Sequence, residues 1–438
     1  MKPSNYNFFF PYEPDDSKLI AYNSFSNSLA LMDKSQHSTF ERFCKEGVEI
    51  ADDEFVEQLE FGCFLIEDDV NELDRLRFRM LRSRYNTDYL SLTIAPTADC
   101  NFRCAYCYEK DVIKPTYMSE EVQKGVVELV KSCAKTISSL SVTWYGGEPL
   151  MAIDIVEKLS REFMEICAEN NIEYGASMVT NGYFLTKSNV ELLNDLKVGH
   201  IQVTIDGNKE VHDKRRPLAG GVGTFDTIMA NLTDNIDILP PVGLRINVDK
   251  DNLPTAADVA KIVKDKGLGD KVSVHLGKVL SFDNVYDGSK CFNMCDFSQE
   301  EFGYYKETGV DLTWRYPRTV QNVCAADSVS AHIIGADGKL YKCWSDIGDS
   351  KKCVGSLSER LDSNEDVFFN YMLFDPTDIT TNNMCAKCNL LPVCMGGCPY
   401  KRLSDDKDNC TIYKFVLQDY LSVIAEKLKI QRDEVAEK

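Results

Sequence analysis

Hydrophobic and polar positions divide the chain into three stretches of different rhythm. Residues 1 to 88 open with short strand-like runs, "NFFFPYE", "KLIAYN" and "SLALMD". Two helical-period segments follow, "STFERFCKEG" and "DEFVEQLEF", then a strand "GCFLIEDD" and a longer helix "VNELDRLRFRMLRSRY". Two or three strands with three helices predict a small winged-helix-like unit. From 89 to 285 the rhythm changes: "LSLTIAP", "SLSVTWYG", "YGASMVTN", "GHIQVTID", "VGLRINVD" and "KVSVHLG" alternate with helices. Strand–helix alternation predicts parallel pairing through right-handed crossovers. The fold class is therefore α/β, with six units predicting a partial (β/α)6 TIM-like barrel. In such barrels chemistry gathers at the carboxyl ends of the strands. From 286 to 438 the chain is loop-rich and cysteine-dense, then ends in an amphipathic helix, "TIYKFVLQDYLSVIAEKLK".

Composition narrows the setting. The 438 residues are enough for two or three domains and carry a formal charge of −20. An acidic chain repels phosphate backbones, so no nucleic-acid partner is expected. Residues 1–90 hold 10 Lys/Arg against 18 Asp/Glu, a poor surface for DNA. The run Arg75, Arg77, Arg79, Arg82 and Arg84 is the local exception. The start, "MKPSNYNFFFPYEPDD", has neither a secretory apolar core nor a basic amphipathic face. No apolar stretch approaches the roughly 20 residues of a membrane helix. A cytoplasmic protein without a membrane partner is the expectation.

The 17 cysteines cluster. In a reducing compartment, clustered thiols read as metal ligands rather than disulfides. "TADCNFRCAYCYEK" places Cys100, Cys104 and Cys107 in one loop directly after the first barrel strand. A disulfide uses two thiols and structural zinc usually takes four protein ligands. Three fit a metal centre with one position left open. A zinc-bearing, non-catalytic peptide-binding or regulatory protein is the alternative of a different class.

The C-x3-C-x2-C spacing with Tyr106 before its last cysteine resembles the signature of the radical S-adenosylmethionine (SAM) superfamily. The resemblance implies a [4Fe–4S] cluster on Cys100, Cys104 and Cys107, with SAM on the fourth iron. Further family-like elements follow in order. "TWYGGEPL" ends the second strand, and Gly146, Gly147, Glu148 and Pro149 would meet the SAM amino group. By the same resemblance Thr180 in "TNG", Thr204 and Asp206 in "TIDG", Arg216 in "HDKRRP" and Asn247 in "LRINVD" lie around SAM and substrate. The catalytic acid or base is not readable from the chain.

A second cysteine set runs Gly338-x4-Cys343 and then C-x2-C-x5-C-x3-C, with Cys324 before and Cys410 after. This resembles the SPASM domain of radical SAM enzymes that act on peptides and proteins. It implies two auxiliary [4Fe–4S] clusters, three clusters in all. Cys385, Cys388, Cys394 and Cys410 would hold the outer one; Cys324, Cys343 and Cys398 the inner, its last ligand being Cys291, Cys295 or substrate. In the sulfatase-maturating branch the cysteine matching Cys343 is followed by aspartate. Here Trp344, Ser345 and Asp346 follow.

The first block resembles the recognition element of ribosomal-peptide maturases, which captures leader peptides by adding a strand to an exposed sheet edge; its arginine run then reads as a solvated helix face or a leader contact. The resemblance as a whole implies three domains: 1–88 peptide-binding, 89–285 radical SAM barrel, 286–438 bridging region and SPASM domain. It implies cleavage of SAM to a 5′-deoxyadenosyl radical and an intramolecular cross-link in a precursor peptide. A thioether is the first expectation, with carbon–carbon or carbon–oxygen bonds behind it. Partners would be that leader-bearing peptide and a low-potential electron donor, flavodoxin or ferredoxin. The same-fold alternative is a sulfatase-maturase-like, protein-oxidising enzyme.

Overall fold

In the computed structural model the three-phenylalanine run near the start is a strand covered on both faces. The structure describes residues 1–281, 285–322, 324–358, 364–381, 384–403 and 408–436. The chain begins with β1 (Lys2–Pro3), β2 (Asn7–Pro11), β3 (Lys18–Asn23) and β4 (Ser28–Asp33). β2, β3 and β4 form an antiparallel meander in which Phe8, Phe9 and Phe10 stand opposite Tyr22, Ala21 and Ile20. Side chains alternate across a sheet. Phe8, Phe10, Ile20 and Tyr22 therefore pack with Leu390, Val393, Leu417 and Leu421 from the far end of the chain. Phe9, Ala21 and Met32 pack instead with Phe40, Phe55 and Leu59, on helices Lys34–Glu46 and Asp53–Phe61.

Those helices start where short acceptors cap them. The Asp33 side chain and Gln36 close a capping box, and the Asp52 carboxylate accepts from the Phe55 amide at 3.1 Å. β5 (Leu65–Ile66) pairs with β1. Helix Glu72–Arg84 then buries Leu76 and Met80 against Tyr6, Phe25, Leu391 and Met395. The expected sheet and three helices are present. They share their core with later segments: Met1–Arg84, Met294–Cys324 and Phe374–Lys438 form one structural unit.

The other unit is Tyr85–Asn293 with Ala325–Leu373. It contains β6 (Tyr89–Ile94), β7 (Ser139–Trp144), β8 (Glu173–Thr180), β9 (Val198–Thr204), β10 (Val242–Val248) and β11 (Val272–Lys278). All five neighbouring pairs run parallel, in sequence order. Their apolar residues are almost wholly buried, as strands covered by crossover helices must be. Ser119, the expected start of the first crossover helix, does cap it, accepting from the Val122 amide at 3.3 Å. The partial (β/α)6 barrel is present.

Three short strands depart from the loop-rich third block that periodicity predicts. β12 (Ala331–Ile334) adds to β6 in parallel, and β13 (Lys339–Tyr341) and β14 (Gly355–Ser356) continue the sheet antiparallel. Strands of two to four residues are too short to show a period of two. The "GADG" between β12 and β13 is their turn, with Gly338 at a φ of 79° that favours glycine.

Candidate functional site

The residues singled out on the barrel strands converge at its carboxyl mouth. Thr97 accepts from the Asp99 amide, and the Asp99 side chain accepts from the Cys100 amide at 2.9 Å. Arg103 and Ala105 donate their amides to the carbonyls of Pro217 and Arg215, and Ala219 donates to Asn101. The cysteine loop is thus laced to the segment after β9.

A cavity of about 320 Å³ opens there. Cys100, Cys104, Tyr106, Cys107, Gly146, Gly147, Glu148, Thr180, Thr204, Arg216 and Asn247 line it. Two of the expected residues lie outside that lining. Pro149 starts a buried 3-10 turn. Asp206 is fully buried: its carboxylate accepts from the Tyr106 hydroxyl at 2.6 Å and the Asn247 amide at 3.2 Å, and Arg215 lies 3.5 Å away. Asp206 is therefore a hub behind the cavity wall. Tyr106 also accepts from Arg216 at 2.7 Å and from the Asn247 amide side chain at 3.1 Å. Four of the expected residues hold one another.

The "GGEP" turn shows why each residue type is needed. Gly146 has a φ of 112°. A Cβ on Gly147 would overlap the Asp99 carbonyl oxygen, so glycine alone lets this turn lie against the cysteine loop. Glu148 is fully buried. One carboxylate oxygen accepts from the Leu150 amide at 3.0 Å and the Thr180 hydroxyl at 2.7 Å; the other accepts from the Asn181 amide at 2.8 Å. Burial pushes its carboxyl up, a shift the three donors partly offset. A carboxylate has about four acceptor positions, so the three donors leave one of them over.

Burial disfavours the thiolate form of all three cysteines. Burial and the neighbouring Glu148 carboxylate push Cys100 upward. Burial and Glu109 push Cys107 to about 12, and burial raises Cys104. Cys100 and Cys107 each also feel the Cys104 sulfur. Three half-buried thiols on one loop suit a group that takes thiolates as ligands, and the unpartnered buried N–H groups of Arg216 Nε and Asn101 Nδ2 suit acceptor atoms beside it. The donor set fits an iron–sulfur cluster.

Several lining residues escaped the sequence reading, among them Gln202, Arg245, Glu109 and Lys278. Period-two alternation could have found two of them: Gln202 precedes Thr204 by two on β9, and Arg245 precedes Asn247 by two on β10. Arg245 donates to the Asn247 side chain at 2.7 Å. Glu109 is buried with one carboxylate oxygen unpartnered, and burial raises it to about 7.

Of the later cysteines, Cys385, Cys388, Cys394 and Cys410 come together in the first unit. Burial and the other three sulfurs push the Cys385 thiol to about 11. Cys324 and Cys398 lie in that same unit, and Cys343 in the barrel unit. Among the described residues none of the 17 cysteines is in a disulfide.

A parallel half-barrel with three thiols and a "GGEP" turn at its mouth defines a radical SAM enzyme. Residues 94–272 match the family described as the radical SAM superfamily, so this stretch is a radical SAM domain and the chain is an enzyme. It is 26% identical over 353 residues to a cysteine-type anaerobic sulfatase-maturating enzyme of Clostridium novyi, covering 70% of this chain and 87% of that protein. It is 26% identical over 212 residues to the sporulation killing factor maturation protein SkfB of Bacillus subtilis, covering 48% and 47%. Among solved structures it resembles anSMEcpe with bound AdoMet and Kp18Cys peptide, with a TM-score of 0.58 and 19% identity over 77% of this chain and 99% of that one. It also resembles Streptococcus suis SuiB bound to precursor peptide SuiA, with a TM-score of 0.53 and 15% identity over 93% and 97%. No helix among the described residues is long and apolar enough to cross a membrane.

Proposed function

We propose that the protein is a maturase of a ribosomally made precursor peptide, installing an intramolecular cross-link, with a thioether as the first choice. The observation that carries this reading is the likeness to SuiB over 93% of the chain, which takes in the N-terminal sheet and helices. The SuiB structure holds a precursor peptide. We read 1–88 as the peptide-capturing region, 89–285 as the barrel and 286–438 as the bridging region and SPASM domain.

Cys100, Cys104 and Cys107 would hold the SAM-binding cluster, and the Glu148 carboxylate with the Gly146–Gly147 backbone would orient the SAM ammonium. Tyr106, Arg216 and Asn247, joined by hydrogen bonds, would form part of the wall of that site. When bound, that cluster would supply reductive cleavage of SAM to methionine and a carbon radical able to remove hydrogen from an unactivated C–H bond. Cys385, Cys388, Cys394 and Cys410 would hold an outer auxiliary cluster, and Cys324, Cys343 and Cys398 an inner one. A low-potential carrier such as flavodoxin or ferredoxin would supply electrons.

Anaerobic incubation with SAM, reductant and the candidate precursor tests the reading by mass spectrometry. A cross-link removes two hydrogen atoms from the peptide, and omission of the leader abolishes the reaction. The second reading, oxidation of a sulfatase cysteine or serine, is favoured by the C. novyi relative. Against it, Trp344 and Ser345 line the cavity where that branch carries its aspartate. Asp346 is buried, with a hydrogen bond from Tyr371 at 2.6 Å. An oxidised residue without a cross-link, formed equally without the leader, would favour this second reading.

A further inference from the structure

Helix Glu72–Arg84 has two unlike faces. Leu73, Leu76 and Met80 point into a core shared with Leu391, Met395 and Cys385. Arg75, Phe78, Arg79 and Arg82, spaced i, i+3, i+4 and i+7, form one outward stripe along a groove of about 360 Å³, with Asp74 at its side. Phe78 is 64% exposed. Arg79 lies 4.4 Å from the Phe25 ring centroid and Arg82 lies 5.9 Å from that of Phe78. On a chain of net charge −20, this stripe reverses the prevailing sign. Arginine around an exposed aromatic is also the composition of interface hot spots.

A partner that docks here carries negative charge. It does not dock by strand addition, because a helix has no open backbone edge; it presents a folded acidic surface. What lies beneath the helix identifies the partner. Cys385 packs against the inner face, and Cys388, Cys394 and Cys410 gather around Cys385. One helix diameter, about 10 Å, separates the outer stripe from that quartet.

We propose that the outer face of helix Glu72–Arg84 is the docking surface for a small acidic one-electron carrier protein. The reduced carrier loses one electron, a cluster held by Cys385, Cys388, Cys394 and Cys410 gains it, and no bond is made or broken. The proposal rests on the reading of that quartet as a cluster site.

Binding of oxidised flavodoxin to the full-length, iron-reconstituted protein tests it, read by titration at low and moderate salt. The double variant Arg75→Glu, Arg82→Glu leaves the cysteines and the buried face untouched. It should bind flavodoxin about tenfold more weakly at low salt and lose most of the salt dependence of the wild type. Binding of the precursor peptide is measured in parallel on the same variant. Unchanged flavodoxin affinity overturns the proposal. So does a loss confined to the precursor peptide, which would make the face a peptide-reading surface. Iron content of Cys385→Ala reports separately on the quartet: a variant with full iron sinks the cluster reading, whatever flavodoxin does.

Discussion

Glu148 carries the densest set of obligations of any side chain at the barrel mouth. Three donors from two chain segments meet one buried carboxylate. Glu148→Gln replaces an acceptor with a donor facing other donors, and leaves at least one buried group unsatisfied. It should cost about 2–3 kcal/mol of stability and weaken SAM binding at least tenfold, measurable by thermal unfolding and by calorimetric titration with SAM. Unchanged SAM affinity would remove Glu148 from the binding role. Gly147→Ala should destabilise by about 1–3 kcal/mol, because its methyl group must displace the Asp99 carbonyl. Iron content after reconstitution should fall with it; full iron would show that the cysteine loop does not depend on the turn. At this scale the sequence was most legible where a residue type is chemically irreplaceable, as with the thiols and the glycines. It was least legible for Gln202 and Arg245, and it did not show that Thr180 and Asp206 are spent on Glu148 and on Tyr106. No local pattern announces which polar group a buried carboxylate will bind.

Elements long enough to repeat their period were readable: β6 to β11 all lie where alternation placed them. β12 to β14 were not, because three short strands gain their identity from pairing with β6 and with one another. A buried histidine on β12 makes that edge sensitive to pH. Burial, and then the nearby Lys342, lower His332 to about 3, against about 6.5 in an unfolded chain. Below about pH 6.5 the unfolded chain takes up a proton that the folded one refuses. Folding stability is therefore whole above that pH and falls by about 1.4 kcal/mol per unit toward pH 3. The variant His332→Leu should flatten the decline in melting temperature between pH 6.5 and pH 4. A parallel decline in both proteins would show that His332 is not the titrating group.

The whole molecule holds the largest departure from a linear reading of the chain. Residues 1–84 and 374–438 share one core, so the N-terminal block is part of the scaffold around the Cys385 quartet. Sequence separations of more than 300 residues leave no local trace, and periodicity could not join these segments. Deleting residues 1–84 should expose Leu390, Val393, Leu417 and Leu421 and yield aggregated, iron-poor protein on size-exclusion chromatography. A monodisperse, iron-replete truncation would contradict the shared core. The α/β class and the parallel order were legible throughout, because crossover connections leave few other arrangements.

The central claim is that the loop of Cys100, Cys104 and Cys107 holds the cluster that opens SAM. Formation of 5′-deoxyadenosine from SAM under reducing, oxygen-free conditions tests it most directly, comparing the reconstituted wild type with Cys100→Ala. The wild type should form it, and the variant should form none while keeping the iron bound at its later cysteines. Continued production of 5′-deoxyadenosine by the variant would contradict the claim.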